Sequence, residues 1–282
     1  MAYPTVSAPY GLKPINLIGG QVFAGSTRTL PIQYGYASNI YYGDLVYQTL
    51  GFINRTTLTS NSFASGKIPV GVFLGCTYTN PLTKQKFYSQ YWPGGTLAGD
   101  AQAIVTDDPD TVFKIAIVSS GTTIASANQE MIGYNLQLVD NGGSTSTGNS
   151  LIAALGLTAS PATTSSFPLR VIDIVRDTAY SYSATGSSSS TTVTLTTGPS
   201  GNVLAGADVA YLASGVPVQT GSFVTSAVAQ GATSATLNAA VSVPGSITAI
   251  PSGSTIAFTN VPEVLVKINF GQHMYYNATS NA

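Results

Sequence analysis

Charge is what this sequence has least of. Only 7% of its 282 residues are Asp, Glu, Lys or Arg, ten basic against eleven acidic, where an average soluble domain carries about 25%. That balance leaves no clustered basic footprint for nucleic acid and no polybasic patch for an anionic membrane. There is one cysteine, Cys76, so no disulfide can close within the chain. In the apolar run Val70–Cys76 it reads as a small buried hydrophobe. One Cys and one His, His273, cannot supply the tetrahedral N and S ligands of a structural zinc site. No apolar run approaches the roughly 18 residues of a membrane-spanning helix. The opening MAYPTVSAPYG lacks a basic stretch followed by an apolar one, so no secretory signal is expected.

What is present is apolar, aromatic and small. Hydrophobic residues make up 44%, with 16 Tyr and 10 Phe, which excludes a disordered chain. With so few charges the surface must be Ser, Thr, Asn and Gly, which suits a protein packed against neighbours.

The periodicity predicts an all-β protein, with a sandwich- or barrel-like main domain, an extended N-terminal arm and a small inserted all-β domain. Residues 1–22 read as the arm, because Pro4, Pro9 and Pro14 each remove a backbone donor. Its apolar Tyr3, Tyr10, Leu12 and Ile15 follow no helical spacing, so it either lies along a partner or folds onto its own domain.

Residues 23–177 and 263–282 read as the main β domain. Leu30, Ile32, Tyr34 and Tyr36 alternate onto one face, and strands are expected at 70–78, 87–92, 101–106, 111–118 and 134–139. A short helix is expected at Gln129–Ile132. Strand 264–270 should place Val264, Val266, Ile268 and Phe270 on one face.

Residues 178–262 differ. Asp208 is the one charged residue from Thr191 to Thr259. A weak repeat matches Thr192–Leu195 and Gly206–Tyr211 with Ser234–Leu237 and Gly253–Phe258. This is the pattern of a small inserted β domain, which requires strands 170–176 and 264–270 to be antiparallel neighbours.

No residue set builds a convincing catalytic or cofactor site. His273 has no Gly-x-Ser-x-Gly elbow to accompany it. Asp107, Asp108 and Asp110 form the one dense carboxylate cluster, but EF-hand spacing is absent and calcium needs roughly six to eight oxygens. The cluster reads as a solvated turn, and a glycosidase carboxylate pair drawn from it would rest on residue type alone. The aromatic segment Phe87–Trp92 reads as core or as an interface anchor. No enzyme activity, metal or cofactor is therefore expected.

Several segments resemble a family of structural head proteins of tailed bacteriophages, including marine ones. They are Ala8–Ile15 with Gly19-Gly20, Tyr36–Val46, Gly71–Pro81 continuing through Phe87 and Tyr91–Thr96, Asp107–Phe113, Arg170–Asp173 and Val264–Phe270. The resemblance covers about two-thirds of the chain and leaves 178–262 as a separate module. It implies a capsid decoration (cement) protein on the outer surface of an HK97-fold shell, made in the bacterial host cytoplasm. Its implied partner is the major capsid protein, which it would bind as homotrimers at local three-fold axes. The arm residues Tyr3, Pro9, Tyr10, Leu12, Pro14 and Ile15 would then touch the capsid by strand addition. The alternative is a tail or head fibre or adhesin component that binds a host receptor through the inserted module.

Overall fold

Runs of β-branched and aromatic residues between Gly and Pro turns build strands here and almost no helix. A computed structural model describes residues 6–59, 62–156, 162–213, 216–240 and 249–277. Within them the chain is all-β, and helix is confined to 3-10 turns at Gln129–Met131, Arg176–Thr178 and Met274–Tyr276.

The first strand is β1 (Lys13–Leu17). An N-terminal barrel follows, made of β2 (Arg28–Pro31), β3 (Leu45–Thr49), β4 (Phe52–Arg55), β7 (Gly71–Thr79), β8 (Lys86–Ser89) and β9 (Gln102–Thr106). The short pair β5 (Leu58–Thr59) and β6 (Ser62–Phe63) branches from it. Its sheet runs β2-β9-β7-β3-β4 with β8 added on β7, and a bridge from Ile32 to Ile53 brings the ends together. Inside lie Phe73, Trp92, Ile40, Ile53 and Cys76.

Next come β10 (Thr111–Ser120), β11 (Thr123–Ile124), β12 (Asn135–Val139), β13 (Ala153–Leu155) and β14 (Leu169–Ile174). A further set comprises β15 (Tyr180–Ser188), β16 (Thr192–Thr197), β17 (Asp208–Ala213), β18 (Val216–Phe223), β19 (Ser234–Thr236) and β20 (Ile250–Asn260). The last strand is β21 (Glu263–Ile268). Strands β10, β13, β12, β14 and β21 close a five-stranded central barrel, because β21 pairs back onto β10. All its joints are antiparallel except β10 with β13. Leu45 and Val72 of the N-terminal barrel point outward into this second core, so the two barrels share a wall.

β14 and β21 pair antiparallel, with Arg170 opposite Lys267, as an insertion between them requires. The intervening β15–β20 form their own six-stranded sheet with its own core. Its order is β18-β17-β20-β15-β16-β19, and a Val224–Leu237 bridge joins the ends. The repeat seen in the sequence has a geometric meaning: β16 pairs with its counterpart β19, and β17 with its counterpart β20. β15 and β18 take matching places in the ring, so the module is two three-strand units related by a pseudo-twofold. Its second unit begins at Val216.

The N-terminal segment is corrected in its described part. Pro9 is buried, Leu12 is fully buried in the central core, and Lys13–Leu17 pairs with β10. Among the described strands β1 pairs with β10 alone, apart from one bridge from Asn16 to Val22, and Pro14 is tolerated there because an edge strand leaves one row of donors largely unused. Lys13–Leu17 is therefore an edge strand on β10, and the described part of the segment folds onto its own domain, the second of the two alternatives. Tyr3 lies outside the described residues. Two further expectations change. The 30–36 strand stops at Pro31 and turns at Tyr34-Gly35, leaving Tyr34 exposed. Phe270 lies past the end of β21 and is 73% exposed, off the Val264–Val266–Ile268 face.

Candidate functional site

Charged side chains are scarce here, so where each one sits indicates its use. One ion pair clamps one barrel to the other. Asp44 is fully buried, accepts the Tyr41 amide at 2.8 Å and pairs with Arg55 Nε at 2.8 Å. Burial raises the Asp44 carboxyl, while Arg55, Ser150 and the Tyr41 amide pull it back. The other face of Arg55 reaches Asp140 at 2.6 Å, so one guanidinium ties the N-terminal barrel to the central one. Alongside, Leu12 N–H donates to Gly43 O at 3.1 Å. Gly43 has φ +90, and a Cβ on it would lie 2.9 Å from Leu12 N, so this crossing needs glycine.

Tyr10 is committed inward. Its hydroxyl donates to Glu263 Oε1 at 2.5 Å, and Lys114 Nζ lies 3.3 Å from the same carboxylate. Burial raises the phenol, and Glu263 raises it further. Of the remaining arm residues, Pro14 is partly buried and Ile15 is 42% exposed.

The acidic cluster is structural. Asp107 pairs with Arg28 at 2.7 Å and accepts from Tyr275 Oη at 2.6 Å; Arg28 also donates to Tyr275. Asp108 Oδ1 accepts the Asp110 amide, and Asp110 pairs with Lys267 at 3.1 Å. Among the described residues no group of three or more His, Cys, Asp and Glu is arranged to hold a metal. His273, 1% exposed, uses Nδ1 to accept the Tyr275 amide at 3.2 Å. Desolvation lowers its pKa to about 4, so it is neutral near pH 7. The turn it caps straps the end of the chain onto the N-terminal barrel, with Met274 N–H bonding Pro69 O at 2.9 Å.

Two solvent-open features stand out among the described residues. A cleft of about 570 Å³ lies where the inserted module meets the central barrel, with Ile174, Val209 and Val261 on its apolar side. Asp208, the lone charge of its module, lines it and accepts the Gln129 amide; burial raises its carboxyl to about 6. The second feature is the β7–β8 hairpin on the N-terminal barrel. The aromatic segment divides there: Trp92 is fully buried and donates to Tyr36 O, whereas Phe87 and Tyr88 are 40% and 77% exposed. Sequence reading did not separate the two, although the Lys84-Gln85-Lys86 flank is the signal that Phe87 and Tyr88 sit on an outward strand. Comparison with protein-family models, with curated proteins and with solved structures finds no match to this chain.

Proposed function

We propose that this chain is a structural virion protein, a capsid decoration protein that binds the outer surface of a phage head and stabilises it. One observation carries the reading. The segments that resemble phage head proteins are scattered along the sequence, yet they meet in one body. Gly11 packs on Gly43, β7 pairs with β9, and β10 pairs with β21. The segment without that resemblance, 178–262, coincides with the separate sheet and core of β15–β20. A charge-poor composition and two barrels tied together by the Arg55–Asp140 pair suit a protein held against neighbours under load. In this reading the partner is the major capsid protein, the copies act as homotrimers, and several weak contacts per trimer add to tight attachment.

The test is mechanical. Heads lacking the protein should rupture at a lower temperature than complete ones, and adding the purified chain should restore the difference. An unchanged rupture temperature with and without the chain would refute the proposal.

A further inference from the structure

Pro9–Leu12 pack into the body and Lys13–Leu17 pairs with β10, so of the named arm residues that the structure describes Ile15 alone is exposed. The β7–β8 hairpin is free. Among the described residues β8 pairs with β7 alone, so its outer backbone edge has no strand beside it. Large apolar side chains crowd it: Leu82 at the apex is 89% exposed, followed by Tyr88 and Phe87. Phe87 stacks on Tyr78 at 6.0 Å between centroids, which fixes its direction. On the outer face of the same strands Tyr88 walls an open groove of about 450 Å³, together with Tyr42, Leu74 and Ile104.

The hairpin is also rigid. Asn80 Oδ1 accepts the Leu82 and Thr83 amides at 2.9 and 3.2 Å, and Asn80 O accepts the Lys84 amide at 2.9 Å. Lys84 is held left-handed at φ 60. The hairpin root is fixed by Thr79, whose hydroxyl and amide both donate to Asp100, at 2.6 and 3.0 Å. A preorganised edge loses little freedom on binding.

Charge selects the occupant. In a chain with 7% charged residues, Lys84 and Lys86 both fall on this hairpin. Like Lys13, Lys67 and Arg170, neither makes an ion pair among the described residues, although the Asp100 carboxylate at the hairpin root feels Lys86. Arg28, Arg55, Lys114, Arg176 and Lys267 all do. Pairing with the same hairpin of a second copy would oppose like charges, and such juxtaposition is costly.

We propose that the β7–β8 hairpin, and not the N-terminal segment, is the shell-docking element, taking an extended acid-bearing strand of the shell protein along β8. This rests on the decoration reading. The assay is cosedimentation of the purified full chain with heads that lack it, at low and moderate salt. Lys84→Glu/Lys86→Glu and Leu82→Ser/Tyr88→Ser should unfold like wild type yet lose about tenfold or more in affinity. Wild-type binding should weaken with salt, and the charge-reversed variant should lose that dependence. Leu50→Ser, at the exposed β3–β4 tip, should bind like wild type. Wild-type affinity in both hairpin variants, with heads still bound, overturns the docking assignment alone. Failure of the wild-type chain to bind heads overturns the decoration reading, and the assignment falls with it.

Discussion

His273 ties the end of the chain to acid stability, and its replacement gives a sharp test. The imidazole is 1% exposed and must be unprotonated at Nδ1 to accept the Tyr275 amide. Burial lowers its pKa from 6.5 to about 4, against the pull of Asp107 and Asp108, while Lys267 lowers it further. As pH falls below 6.5 the unfolded chain gains a proton that the folded one refuses until about pH 4. Stability present at neutral pH is therefore lost across that window. The loss works out at roughly 2 kcal/mol at pH 5 and about 3 kcal/mol at pH 4.

His273→Asn keeps an oxygen for the Tyr275 amide and removes the titration. Asp208 acts in the opposite sense, because its raised pKa makes proton uptake favour the folded state as pH falls through about 6. It is present in both proteins and cancels in their difference. The assay is urea unfolding followed by Trp92, the sole tryptophan, in the core of the barrel on which the strap docks. The stability gap between variant and wild type should shift in the variant's favour by about 2 kcal/mol between pH 7 and pH 5. Parallel pH profiles for the two proteins would refute the reasoning.

Other outcomes follow from the clamps and the cores. Arg55→Met leaves Asp44 buried without its cation and should cost about 3–5 kcal/mol by the same unfolding assay, with Asp44→Asn in the same chain recovering most of it. Leu12→Ala should cost about 2–5 kcal/mol, since the site is core; a loss below about 0.5 kcal/mol would mean that the segment is a loose arm after all. Replacing residues 181–259 by a short Gly linker should leave the central and N-terminal barrels folded, because Tyr180 and Asn260 pair at the neck. A heteronuclear NMR spectrum that loses dispersion for residues of β7 and β10 would contradict this.

The sequence was most informative where the signal is local. Alternation found Val264, Val266 and Ile268, because period-two burial in a strand needs no knowledge of its neighbours. The repeat in 178–262 was visible because two equivalent units impose the same pattern twice. Phe270 was misplaced for a local reason: the strand ends at Ile268 before Gly271, which adopts φ 81. The N-terminal segment was left with two alternatives because proline marks a non-helical, donor-poor chain equally in a free arm and in an edge strand. Barrel closure had no local signature, since the closing β10–β21 pair joins residues distant in sequence. Nor did composition distinguish Trp92 from Tyr88, because both lie in one aromatic run and only the three-dimensional ladder separates inside from outside.

The most direct test of the central claim is the molar ratio of this protein to the major capsid protein in purified virions, measured by quantitative mass spectrometry. A decoration protein spread over the head should be present in numbers comparable to the shell subunit. A ratio that is a small fraction of that would contradict the account and place the chain at a tail or vertex.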